Sequence, residues 1–238
     1  MRVPSTEVQN NFGKYLKFAE ANEEIIVTKN GRDIARIVPC QPEIERERAE
    51  EYRTRGDWVT YEEFLELVES SEQRFELIDG VVYNMASPSY KHQHAVQELL
   101  GTFYNWFKGK PCTALTSPFD VTLDKSAFNR CVVQPDVIVI CDREKVNDKG
   151  RYMGVPTLVV EVLSPSTRSK DMLKKLDLYL QCGIKEYWVV DPAQGIINVY
   201  SFQDGDISDC RTFTSQHRTA DSSYLEGLKV SLEDVFAG

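Results

Sequence analysis

The sequence predicts an α/β fold, a mixed sheet flanked by helices, with a small α/β module in front of it. Three observations carry this reading. Residues 132–140 and 158–163 are near-continuous runs of Val, Ile and Leu, as in strands buried on both faces of a sheet. Apolar stripes at helical spacing lie between strand signals, the clearest being Val96, Leu99, Leu100, Phe103, Trp106 and Phe107. Residues 41–57 are dense in mixed charge and read as a linker or solvated helix dividing residues 1–40 from residues 58–238.

With 238 residues the chain is long enough for one large domain and a small module. No window approaches the ~18 uninterrupted apolar residues of a membrane helix, and the polar start of the chain is no signal peptide. The expected location is the cytoplasm, with no membrane partner. Six cysteines (Cys40, Cys112, Cys131, Cys141, Cys182, Cys210) occur without a CxxC pair or a close Cys/His pair. That spacing argues against zinc and, with no export signal, against a disulfide framework, so reduced thiols are expected. The net charge of -9 counts against an ordinary basic nucleic-acid binder, although the local field at a contact governs binding.

In the module, Ser5-Thr6-Glu7-Val8 opens a helix whose free N–H groups the hydroxyl residues can cap, and Phe12, Tyr15, Leu16 and Ala19 follow at amphipathic spacing. Two β-rich runs, 24–29 and 32–38, flank Asn30-Gly31, a strong hairpin signal because both turn residues take positive φ. Pro39 closes the unit. Asn11-Phe12-Gly13, then Ile-Val-Thr-Lys-Asn-Gly-Arg and Ala-Arg-Ile in order, resemble the N-terminal module of Phd/YefM-type antitoxins over about 40 residues. The resemblance implies a dimerising module whose paired N-terminal regions contact operator DNA, and it brings in a toxin as a further partner. Near-balanced charge, six basic residues against five acidic, favours dimerisation over DNA binding.

From Trp58 the pattern alternates. Thr60-Tyr61-Glu62-Glu63 has the form of a capping box opening a helix to about residue 68. Residues 74–83 read as a hairpin turning on Asp79-Gly80. The long helix follows, then strands near Ala114, Val121, Val137 and Val160, a second helix over about 168–181, and strands at 185–190 and 196–202. Residues 204–222 are polar and read as a loop, and residues 225–236 pack the C-terminus on the body.

Each of the two buried runs carries one acid, Asp136 and Glu161, 25 residues apart. An unpaired carboxylate there costs several kcal/mol, so each must be protonated, paired or bound to a metal. Alternation groups Asp136 with Ile138 and Ile140, and Glu161 with Val159 and Leu163. If the strands pair, the carboxylates converge. With the carbonyl of Val162 as third ligand they suit a hard cation, Mg²⁺ or Mn²⁺, rather than zinc. Asp171, Lys175 and Tyr179 recur at i, i+4 and i+8 on the second helix, which follows the Glu161 strand through Ser164-Pro165, so Lys175 can reach the acids. One cation, two acids and a lysine are the minimal equipment for phosphodiester hydrolysis. Taken singly, each has a plainer reading: a strand-end acid forms a cap or salt bridge, and a helix lysine is solvated. Arg168, Lys170, Lys174 and Lys175 against Asp171 leave a net +3 within eight residues, a phosphate-facing surface.

Several motifs occur in order: Glu76-Leu77-Ile78-Asp79-Gly80, Ser87-Pro88 with His92-Gln93, Gln134-Pro135-Asp136, and 161–167 (Glu-Val-Leu-Ser-Pro-Ser-Thr). Asp171 with Lys175 and Tyr179, and the run 186–192 (Glu-Tyr-Trp-Val-Val-Asp-Pro), complete the set. Over about 140 residues this resembles the Uma-type restriction endonuclease family, within the PD-(D/E)XK nuclease superfamily. The resemblance implies a restriction-endonuclease-like sheet, metal binding by Asp136 and Glu161, and a further carboxylate from Glu76. His92 falls at the family's histidine position, either to shuttle a proton or touch phosphate, or simply as a polar helix-start residue. Leu163 stands where the superfamily motif has its lysine, which Lys175 supplies from the helix. Tyr187-Trp188 reads as core packing rather than base stacking. The expected protein is a Mg²⁺- or Mn²⁺-dependent DNA endonuclease acting as a homodimer. The alternative is a non-catalytic DNA-binding regulator or antitoxin-type protein with a degenerate nuclease domain.

Overall fold

Two compact units make up the computed structural model of the chain, Met1–Asp57 and Trp58–Gly238. It describes residues 2–13, 15, 25–37, 58–85, 87–164 and 170–238, though not the side chains of Lys170 and Asp171. The charged linker, and with it Leu16, Ala19, Val38 and Pro39, lies outside the described residues.

The first unit holds β1 (Arg2–Pro4), α1 (Ser5–Asn10), β2 (Ile25–Lys29) and β3 (Arg32–Ile37). β1 runs parallel to β2, and β3 pairs with β2 as the expected hairpin, with Asn30 and Gly31 at φ 51° and 75°. Val3, Val8, Tyr15, Ile25 and Val27 form its own core, and the Tyr15 hydroxyl donates to Glu7 at 2.7 Å.

The second unit is layered. Its centre is a six-stranded sheet ordered β13-β12-β11-β10-β9-β6, in which β6 is Thr113–Thr116, β9 Val137–Ile140, β10 Leu158–Val162, β11 Glu186–Asp191, β12 Ile196–Gln203 and β13 Asp206–Phe213. β10 and β11 are parallel and the other neighbours antiparallel. One face packs on α3 (Tyr90–Phe107) through Val137, Val139, Val160, Val162 and Trp188 against Leu99, Phe103 and Phe107. The other packs Ile138, Ile140, Val159, Tyr187 and Val189 against a four-stranded sheet and against α4 (Leu176–Gln181). That second sheet is ordered β5-β4-β8-β7, where β4 is Phe75–Ile78, β5 Val81–Asn84, β7 Val121–Ser126 and β8 Asn129–Val133. Its outer face is covered by Phe64 of α2 (Tyr61–Glu69), which starts at the expected capping box on Thr60 and Glu63. β14 (Thr219–Asp221) pairs with β15 (Lys229–Ser231), and α5 (Leu232–Phe236) ends the chain with Leu232 and Val235 packed in the core that α3 covers. Trp188 and Tyr187 are core residues on opposite faces, as expected.

Three expectations are corrected. Residues 132–140 are two strands in two sheets, β8 and β9, rather than one. Proline has no N–H for the ladder, so the chain leaves one sheet at Gln134-Pro135 and enters the other after Asp136. Residues 204–222 are not a loop. They hold β13, an edge strand solvated along most of its length, which turns from β12 through Asp204-Gly205 at φ 54° and 79°. Its polarity follows from having no sheet partner on one side. Finally, Cys112 and Cys141 form a disulfide, because the β6–β9 register, which pairs Thr113 with Ile140, sets them opposite each other. Among the described residues no helix is long and apolar enough to cross a membrane.

Candidate active site

Strand pairing builds the site. Val160 pairs with Val137, so one further step of the β9–β10 register sets Glu161 across from Asp136. On the other side Thr116 pairs with Val137, which places Ser117 across from Asp136, and the Ser117 N–H donates to the Asp136 carbonyl at 3.4 Å. Thr116 Oγ1 donates to the same carbonyl at 2.8 Å. Ser117, Asp136 and Glu161 therefore form a row across three neighbouring strands.

Asp136 sits at the bend before β9. Its Oδ2 accepts the Val162 N–H at 2.8 Å and lies 3.3 Å from His92 Nε2. The aspartate side chain keeps 16% of its surface exposed and the histidine 12%. His92 arrives on the first turn of α3, where Ser89 Oγ accepts its backbone N–H. Asp136 Oδ1 receives no hydrogen bond from the described residues.

Glu161 is enclosed. Its Oε1 accepts from Lys175 Nζ at 2.7 Å and from the Tyr179 hydroxyl at 2.7 Å. Lys175 Nζ also lies 2.8 Å from Glu76 Oε1, with the lysine side chain 2% and the glutamate 0% exposed. Glu76 comes from β4 of the smaller sheet and takes the Gln134 N–H at 3.0 Å as well. One ammonium thus joins the two sheets, and each of these buried charges has an opposite charge and further hydrogen bonds. Burial and the neighbouring Glu161 charge push the Tyr179 phenol well above its ordinary pKa, so it remains a proton donor.

Lys175 reaches this point because a π-helical turn, Lys170–Lys175, leads into α4. One turn later, Tyr179 and its neighbour Leu178 are buried in the core between the sheets. Wide turns of this kind often occur at functional positions. Leu163, in the strand's own lysine position, is part of the same core.

The structure therefore brings Asp136, Glu161, Glu76, Lys175, His92 and Val162 together, the last through its N–H. Sequence reasoning assigned no role to Tyr179 or to the Gln134 N–H. The spacing of Tyr179 one turn after Lys175, and Gln134 in the Gln-Pro-Asp motif, were the available signals. Arg168 and the side chain of Lys170 lie outside the described residues. Lys174 donates to the Tyr83 hydroxyl and rests 5.2 Å from its ring. Lys175 points its charge inward, so the expected basic surface is one cation poorer.

Three carboxylates against one ammonium leave, formally, two negative charges, the complement of one divalent cation. Among the described residues no three His, Cys, Asp or Glu side chains form a ready metal cage. Such a donor set fits an ion that takes one or two carboxylates and keeps its waters, as Mg²⁺ does, better than a zinc site.

These mixed sheets flanked by helices form a restriction-endonuclease-like fold. The Uma2 family, described as "Putative restriction endonuclease", matches residues 61–233, and the chain belongs to that family. Residues 1–73 match the family "Antitoxin Phd_YefM, type II toxin-antitoxin system". The uncharacterised protein slr1290 of Synechocystis is 31% identical over 144 residues, which cover 60% of this chain and 74% of that protein. A crystal structure described as "a putative nuclease belonging to DUF820", from Anabaena variabilis, superposes with a TM-score of 0.62 at 22% identity, covering 75% of this chain and 98% of that one. At that identity the likeness supports the fold alone.

Proposed function

We propose that the chain is a Mg²⁺- or Mn²⁺-dependent DNA endonuclease that hydrolyses phosphodiester bonds as a homodimer. The observation that carries this reading is Lys175, a buried ammonium delivered from the helix to Glu161 beside Asp136. In this reading Asp136 and Glu161 hold the ion with the Val162 carbonyl, and Glu76 is the further carboxylate. The ion, when bound, lowers the pKa of water and neutralises phosphate charge. Lys175 orients the attacking water or stabilises charge on the phosphate oxygens. His92, against Asp136, moves a proton or contacts the phosphate. In this reading Arg168, Lys170 and Lys174 are the DNA-binding residues. Residues 1–40 form the dimerising module, residues 41–57 the linker and residues 58–238 the nuclease domain.

Purified protein with Mg²⁺ or Mn²⁺ is expected to nick or cut duplex DNA, and Asp136→Ala or Glu161→Ala to abolish this. Equal cleavage by wild type and both variants would point to a contaminant and sink the assignment. Calorimetric titration of Mn²⁺ into wild type and Asp136→Ala separates ligand from bystander. The net charge of -9 and the antitoxin-like module favour a second reading, a DNA-binding regulator that does not cut. It predicts salt-sensitive DNA binding that is independent of metal, and a co-purifying toxin would favour its antitoxin form.

A further inference from the structure

We propose that Arg74 is a phosphate-binding residue of this site, taking the DNA backbone at the end of the acid row opposite Lys175; the inference rests on the endonuclease reading. Arg74 extends β4 by one residue, since its carbonyl accepts the Met85 N–H at 2.9 Å in continuation of the β4–β5 register. Strand alternation puts it on the face of Glu76 and Ile78, about 7 Å along from Glu76. Ile78 packs in the core between the two sheets, so this face looks toward the six-stranded sheet. Arg74 Nη1 crosses to donate to Ser117 Oγ at 3.4 Å. Ser117 is the neighbour of Asp136 in the row, about one strand spacing (~5 Å) away. Two cations from outside the six-stranded sheet therefore bracket the acids, Lys175 at Glu161 and Arg74 at Ser117.

They differ in how their charge is met. Lys175 is met by two carboxylates. Among the described residues Arg74 meets none, and the Ser117 hydroxyl is its one acceptor. The other two partly buried arginines among the described residues of this unit are both paired, Arg151 with Asp120 and Arg211 with Asp221. A guanidinium offers five donors in a planar fork that matches phosphate oxygens two at a time. Arg74 donates one of them in a long bond to a neutral hydroxyl and meets no counter-charge among the described residues, beside a site that receives an anion. A phosphodiester supplies the missing counter-charge.

The test is binding of a short fluorescein-labelled duplex of random sequence to the full-length protein, by anisotropy in EDTA over a salt series. Arg74→Gln should weaken binding about ten-fold and lower the salt slope by about one, the signature of one lost phosphate contact. Arg74→Lys should keep the slope with a smaller loss of affinity. Mn²⁺ affinity by calorimetry should be unchanged in both, because Arg74 is not a metal ligand. A wild-type slope and affinity in Arg74→Gln overturns the proposal, and so does a parallel loss of Mn²⁺ affinity, which would make Arg74 a support for the acid row. If Arg74→Gln does not fold, Arg74→Lys carries the test, and wild-type affinity in it overturns the proposal. Failure of the wild type itself to bind duplex overturns the endonuclease reading, and this inference with it.

Discussion

Two glutamates of the central sheet, Glu161 and Glu186, are both buried in apolar strands, yet they are held in opposite ways. Glu186 accepts the Trp188 indole N–H at 2.7 Å and the backbone N–H groups of Ser223 and Tyr224 at 2.6 and 2.9 Å. Its donors are neutral, and it ties Ser223 and Tyr224 to the sheet. Glu161 is held by a charge, and that charge is shared with Glu76. Lys175→Met removes the shared ammonium and leaves two buried carboxylates without it. Breaking a buried pair from one side typically costs about 3–5 kcal/mol. Denaturant unfolding of Lys175→Met should show a loss of that size, and adding Glu161→Gln should recover part of it. A loss below about 1 kcal/mol would mean that the ammonium is not the counter-charge the geometry suggests. The sequence singled out Glu161 as an acid within an apolar run, and Glu186 only as the first residue of the run 186–192. What separates them is the identity of their donors, which, Trp188 apart, come from residues 14 to 38 positions away and are chosen by tertiary packing.

Among elements, the β4–β5 hairpin carries the most. Its turn residues Asp79 and Gly80 have φ of 51° and 72°, and a Cβ on Gly80 would stand 2.3 Å from the Trp58 ring. Gly80→Ala therefore meets both a backbone penalty of roughly 1–2 kcal/mol and a ring that must shift. Gly150, at φ 76° with open space around it, meets only the first. Thermal or denaturant melts should place Gly80→Ala well below Gly150→Ala, and equal losses would show that the Trp58 contact adds nothing. The same turn also reaches α4. Lys125 Nζ donates to Asp79 at 3.0 Å and to Asp177 at 2.7 Å, and Asn129 donates to Asp79 at 2.8 Å. Burial pulls the Lys125 pKa down, but the two aspartates outweigh it and hold the ammonium charged above its usual range. The helix that delivers Lys175 and Tyr179 is thereby fastened to the sheet that delivers Glu76. The hairpin was legible because Asp-Gly has a local conformational requirement. The fastening was not, since no local preference relates Lys125 to Asp177.

For the whole molecule, each unit has a core of its own among the described residues, that of the first formed by Val3, Val8, Tyr15, Ile25 and Val27. Residues 58–238 expressed alone should fold and keep the Mn²⁺ affinity of the full chain. Under the dimer reading they should elute as a monomer by light scattering while the full chain is a dimer. A dimeric truncation would move the association surface into the nuclease-like unit. The sequence by itself determined the hairpins at Asn30-Gly31 and Asp79-Gly80, the capping box that opens α2 and the residue types of the site. Each of these follows from local conformational preference or from the period of apolar residues, which act over a few positions. The cap expected from Ser5 and Thr6 is not made: Pro4 takes the N-cap position and no side chain caps α1. Tertiary structure alone decided that one apolar run divides between two sheets at Pro135, that Cys112 meets Cys141, that Lys175 turns inward, and that Arg74 stands beside the acid row with no carboxylate partner among the described residues. Those outcomes depend on strand register and on which sheet each strand joins, and long-range packing sets both.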